Sequence, residues 1–159
     1  MKSKRTVELD QLRDMNVDEL RDVFYSEVQV SRNQLEKSAF RQAPMFEKWY
    51  TLTEEAAAMV RDWDDRLSRT TARADLKIRS MPSNVLFKKH GLEDLKEGAI
   101  KSLIQLDSEV KMVKKKIRSL KRKHLVLKGF IISLGHRKSM IRDLENLYCA
   151  KYWNRDMGA

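Results

Sequence analysis

The side chains with chemistry to offer in this sequence are lysines and arginines. The stretch KMVKKKIRSLKRKH, Lys111 to His124, holds eight of them and no acid. Cations at that density attract anions, phosphate above all: a lysine ammonium supplies a point charge, an arginine guanidinium a planar fork of donors. A second cluster lies in RLSRTTARADLKIR, whose only acid is Asp75. There Arg66, Arg69, Arg73 and Lys77 step by three, four and four residues, which places them on one face of a helix.

Other chemistry finds little support. There is no GxxxxGK[ST] segment and no HExxH, and His90, His124 and His136 have no ligand-like spacing to Cys149. Asp62, Asp64 and Asp65 cluster in DWDD, but Asp62 and Asp64 point to different faces of a helix. Cys149 reads as a buried thiol or an inert surface one rather than a nucleophile. The expectation is a protein with no catalytic residues, no metal ligands and no cofactor, hence not an enzyme. Trp49, Trp63, Tyr148 and Trp153 can stack on bases, but they read more naturally as core or subunit contacts.

Composition says what must carry these charges. Five glycines and two prolines in 159 residues, with 35% charged side chains, fit long amphipathic helices. Residues 1–80 are balanced in charge, so residues 81–159 carry the whole excess of +10. Such asymmetry points to an anionic partner: nucleic acid, an anionic membrane or an acidic protein surface. The single cysteine allows no intrachain disulfide. No apolar stretch follows the basic start MKSKRTVELD, and the longest apolar run, LVLKGFIISLG, is interrupted by Lys128 and too short to span a bilayer. These features predict a cytoplasmic protein with no membrane partner.

The helical elements follow from capping and periodicity. Residues 1–15 read as a loose arm or a frayed helix. Asn16 with Glu19 has the spacing of a capping box and should start a short helix through Leu20, Val23 and Phe24. Ser31 with Gln34, flanked by Val30 and Leu35, should start the next, and Pro44 should end it near Gln42 or kink it. Phe46, Trp49, Tyr50, Ala57, Val60, Trp63 and Leu67 form the expected core face of a helix running to about Arg79. Pro82 then bars continuation, and a connector is expected near residues 80–92.

From about Leu92 to Met140 one helix is expected, with Val110, Val113, Ile117, Leu120, His124, Leu127 and Ile131 as its buried stripe. Gly129 and Gly135 weaken it, and a kink or close helix packing would account for them. The domain reading is an N-terminal arm and short helix over 1–30 and a helical hairpin domain over 31–159. That stripe leaves Lys111, Lys114, Lys115, Arg118, Lys121 and Arg122 on the other side. Like charges at i, i+4 repel by a few tenths of a kcal/mol per pair. Either an anionic ligand neutralises them or acids such as those of DWDD do.

Three blocks of the sequence resemble the phage UvsY-like recombination mediators. MFEKWY (Met45 to Tyr50) looks like the family's LYSKW segment. TARAD (Thr71 to Asp75) is similar to its KARLD, with Arg73 and Asp75 on the motif. AIKSLIQLDSEVK (Ala99 to Lys111), followed by MIRDLENL, resembles its later helical region. The likeness runs in order over about Phe46 to Tyr148. It departs at Thr71, where the family has a lysine implicated with the arginine in binding single-stranded DNA; Arg69 and Lys77 can supply that charge from adjacent turns.

The resemblance implies a non-enzymatic mediator of DNA recombination and repair, located in the host cytoplasm if phage-encoded. Its partners would be single-stranded DNA, a recombinase and a single-strand-binding protein. It would act as a ring-like homo-oligomer, with seven subunits one count the family allows. The expected fold is all-α: a long antiparallel helical hairpin with short N-terminal helices. The expected DNA contacts are Arg69, Arg73, Lys77, Lys111, Lys114, Lys115, Arg118, Lys121 and Arg122. The alternative is a helical structural or adaptor protein, such as a virion or scaffold component, that sets its basic face against an acidic partner.

Overall fold

A computed structural model describes residues 4–30, 34–82 and 96–150. The protein is all-helical, and among the described residues there is no strand. The elements are α1 (Lys4–Asp14), α2 (Val17–Val28), α3 (Leu35–Arg79), α4 (Glu97–Leu106) and α5 (Ser108–Cys149). They distribute over two units, one of Met1–Ala56 with Lys123–Ala159 and one of Ala57–Arg122, with α3 and α5 contributing to both.

In the first unit the entry to α2 forms as its sequence dictates. Asn16 Oδ1 accepts from the amides of Asp18 (2.9 Å) and Glu19 (3.0 Å), and Glu19 Oε2 accepts from the Asn16 amide (2.7 Å). This satisfies donors that the first turn of a helix leaves without partners. Leu20 and Phe24 of α2 are thereby aimed into a core shared with Met45, Trp49, Leu52, Leu127, Phe130 and Leu134. Phe24 stacks on Phe130 with centroids 4.0 Å apart, and Trp49 meets both edge-on. The buried indole is not left wanting, since Trp49 Nε1 donates to Glu27 (3.0 Å), which also holds Lys48. Arg137, nearly buried, donates to the carbonyl oxygens of Val28 (3.0 Å) and Ser38 (3.4 Å) and to the side chain of Gln42. Burial lowers its pKa from the ordinary arginine value.

Three expectations are corrected here. Residues 4–14 are not a loose arm: Leu12 is buried in the core just described, and Arg13 pairs with Asp10 (2.6 Å) and with Glu55. Pro44 does not end the helix, which continues through it. Phe40 and Pro44 are both exposed, so water can satisfy the carbonyl that proline leaves without a donor. The core face of α3 is set differently as well. Met45, Trp49, Leu52 and Ala56 are buried, whereas Phe46 and Tyr50 are exposed and stack on each other with centroids 6.0 Å apart. One residue is about 100° of helix rotation, enough to move an aromatic from core to surface. The start expected at Ser31 lies outside the described residues, as does Trp153.

In the second unit Thr70, Ala74 and Ile78 of α3 are buried, as are Ile100 of α4 and Val110, Val113, Ile117 and Leu120 of α5. α3 stops at Arg79, three residues before Pro82, as expected. Arg79 is held by Asp75 (3.0 Å) and Glu97 (2.7 Å), and its pKa is raised chiefly by the hydrogen bond to Glu97.

The single helix expected over 92–140 is instead two. Asp107 takes an extended backbone, φ −58° and ψ 132°, and its Oδ1 accepts from the amides of Glu109 (2.8 Å) and Val110 (3.1 Å). It therefore ends α4 and caps α5, which then runs nine residues beyond Met140. Gly129 and Gly135 are exposed, with open space where a Cβ would stand, so close packing does not account for them.

Candidate nucleic-acid interface

All nine of the expected contact residues fall in the second unit. Eight are exposed and Lys114 is half-buried. Their arrangement follows from the buried rows of the two helices that carry them. On α5 the row Val110, Val113, Ile117, Leu120 has Glu109, Met112 and Lys116 along one side. Lys114 and Lys121 lie along the other, with Lys111, Lys115, Arg118 and Arg122 beyond them. On α3 the row Thr70, Ala74, Ile78 has Arg66, Arg69 and Arg73 on one side and Asp64, Thr71 and Asp75 on the other.

Two contacts fix which sides meet. Arg66, Arg69, Thr70 and Arg73 line a cleft of about 480 Å³ with Glu109, Met112 and Val113. Across the opposite side, Lys121 Nζ reaches Asp64 at 3.3 Å. The two basic tracks therefore do not line one groove. The arginines face one flank of the helix pair and the lysine track faces the other.

On the lysine flank, Lys111, Lys114, Lys115, Arg118 and Arg122 form no ion pair among the described residues. The acids that α3 turns toward that flank are already engaged, Asp64 by Lys121 and Asp75 by Arg79. The DWDD segment thus answers one cation of the track. Lys123, the last of the eight, does not belong to the flank. Its ammonium donates to the carbonyl oxygens of Arg13 (2.6 Å) and Met15 (2.9 Å), at the end of α1.

In the arginine cleft, Arg66 lies over the Trp63 ring, 4.7 Å from its centroid. Arg69 and Arg73 form no ion pair among the described residues, although Glu109 lines the same cleft. Lys77 is exposed near the end of α3 and does not line the cleft. Met112 belongs to this site although the charge pattern does not single it out, and so does Arg66, which stands in the basic cluster but not among the nine expected contacts. Arg66 stands seven residues before Arg73, and that spacing was the available signal for it.

Among the described residues no group of three His, Cys, Asp or Glu is placed to hold a metal, and no helix is long and apolar enough to cross a membrane. Cys149 is exposed, and so is Tyr148. What the fold and this surface define is an all-helical protein with, among the described residues of its second unit, two separate cationic faces. Compared with protein-family models, curated proteins and solved structures, the chain matches none of them.

Proposed function

We propose that this protein binds single-stranded DNA through the basic faces of α3 and α5 and acts, without catalysis of its own, as a recombination mediator. In this reading it helps a recombinase load onto strands covered by single-strand-binding protein, as the resemblance to UvsY-like mediators implies. The observation that carries it is the lysine flank: five cations over about three turns that pair with no acid among the described residues. Each i, i+4 pair there costs a few tenths of a kcal/mol, a penalty that phosphates relieve. Phosphate binding also releases counterions, and it requires no sequence readout. In the same reading α3 and α5 form an antiparallel hairpin and the subunits close into a ring. The ring repeats the basic track along one strand and so adds avidity.

A structural or adaptor role is the second reading. Exposed Phe40, Phe46, Tyr50, Ile132 and Tyr148 in the first unit favour contacts with other protein surfaces. Fluorescence anisotropy with labelled single-stranded and duplex oligonucleotides, at low and moderate salt, separates the two. The mediator reading expects tight, salt-sensitive binding that favours the single strand. It also expects loss of that binding, at unchanged helical content, when Arg73→Glu and Arg118→Glu are combined. No binding at low salt would hand the basic faces to an acidic protein partner.

A further inference from the structure

Because the arginine cleft and the lysine flank face opposite sides of one helix pair, we infer that a single subunit holds two nucleic-acid strands at once, one on each flank. This rests on the functional reading above, and it adds a second seat and a bridging activity. A strand on the lysine flank cannot reach the cleft without passing around a helix, since the buried rows of α3 and α5 lie between them.

The cleft has the chemistry for such a seat. Arg66 to Arg73 spans about 10 Å along α3, room for a short stretch of backbone. Arg69 and Arg73 are exposed guanidiniums with no carboxylate in ion-pair reach among the described residues. They can grip phosphate oxygens in the two-pronged manner that lysine cannot. Met112, 66% exposed, offers apolar surface at the rim, and Arg66 over Trp63 offers a flat cation. Bases stack on such surfaces without regard to sequence. Among the described residues, the lysine flank is made of Lys and Arg without an aromatic or thioether, and it suits backbone alone. Glu109 works against anions in the cleft, and its place in the first turn of α5, where an acid favours the helix dipole, accounts for its presence.

The test uses two short oligothymidylates, which do not pair with each other, one carrying a donor fluorophore and the other an acceptor. Energy transfer is read with the full-length protein, and anisotropy of each oligonucleotide is read in parallel. The expected result is transfer on adding wild-type protein. In Arg69→Glu/Arg73→Glu transfer should fall to the protein-free level while one oligonucleotide still binds. Lys115→Glu/Arg118→Glu should likewise keep one-strand binding and lose transfer. Circular dichroism checks that both variants remain helical, and the milder Arg69→Gln/Arg73→Gln serves if the reversal does not fold.

Three results would overturn the inference. One is wild-type protein that binds an oligonucleotide but gives no transfer. Another is transfer that survives in the cleft variant, which would mean that separate copies bridge through their lysine flanks. The third is a polyglutamate peptide that displaces the cleft strand more tightly than oligothymidylate binds, which would assign the cleft to an acidic protein segment. Failure of the wild type to bind either oligonucleotide brings down the functional reading itself, and so is a distinct outcome.

Discussion

Neutralising two residues of the lysine flank should change the salt dependence of DNA binding by an amount the structure sets. Of the six cations on that flank, Lys121 is engaged by Asp64, which leaves Lys111, Lys114, Lys115, Arg118 and Arg122. For a single strand, log K falls with log salt at about 0.7 per phosphate neutralised, so five contacts give a slope of about −3.5. Between 50 and 200 mM salt that amounts to roughly a hundredfold loss of affinity. Lys115→Gln/Arg118→Gln should flatten the slope to about −2.1. The same double change removes the like-charge pairs with Lys111, Lys114 and Arg122, each worth about 0.2–0.5 kcal/mol, so the variant should be more stable than the parent by about 1 kcal/mol. Weaker binding together with a higher melting temperature cannot arise from misfolding. The assay is anisotropy titration across salt in an Arg69→Gln/Arg73→Gln background, so that the lysine flank alone reads out, with thermal unfolding in parallel. An unchanged slope would refute the assignment, because phosphates would then be meeting other cations.

Two further outcomes concern stability. Phe24→Ala removes a ring that is buried at 1% exposure between Phe130 and Trp49, and should cost about 3–5 kcal/mol by chemical denaturation, with α1 and α2 losing hydrogen-exchange protection first. Asp107→Ala strips the cap from α5 and should cost about 1 kcal/mol, read by the same denaturation; Asp107→Asn, which keeps the accepting oxygen, should lose much less.

Local rules reached some of this architecture and not the rest. Asn16 and Glu19 find partners within one turn, and Pro82 blocks its own preceding turn, so the start of α2 and the end of α3 were legible. The stripe from Val110 to Leu127 was legible because a long regular spacing admits one buried face. Asp107 was hidden by its surroundings: IQLDSEV keeps a plausible helical rhythm across it, and only the cap bonds reveal the interruption. The face of α3 was misjudged because large aromatics at Phe46 and Tyr50 outweigh Met45, Leu52 and Ala56 in any reading by hydrophobicity. Which neighbour a helix meets decides that choice, and it is a tertiary fact. The same holds for the candidate site. Periodicity places Arg69 and Arg73 on one face of α3, and Lys115 and Arg118 on one face of α5. It cannot say that these faces look in opposite directions, which takes Asp64 meeting Lys121 on one side and Met112 meeting the arginines on the other.

The lysines of the 111–123 run would answer differently to acetylation. At Lys111, Lys114 or Lys115 an acetyl group would erase a charge that the fold does not use, weakening the grip on an anion and leaving the helix content as it was. At Lys123 it would remove an ammonium whose hydrogens close off the carbonyls at the end of α1, and the first helix would loosen from its neighbours. One short stretch of similar residues thus holds both a tunable surface and a fastening, and a modifying enzyme that did not tell them apart would change binding at one position and folding at another.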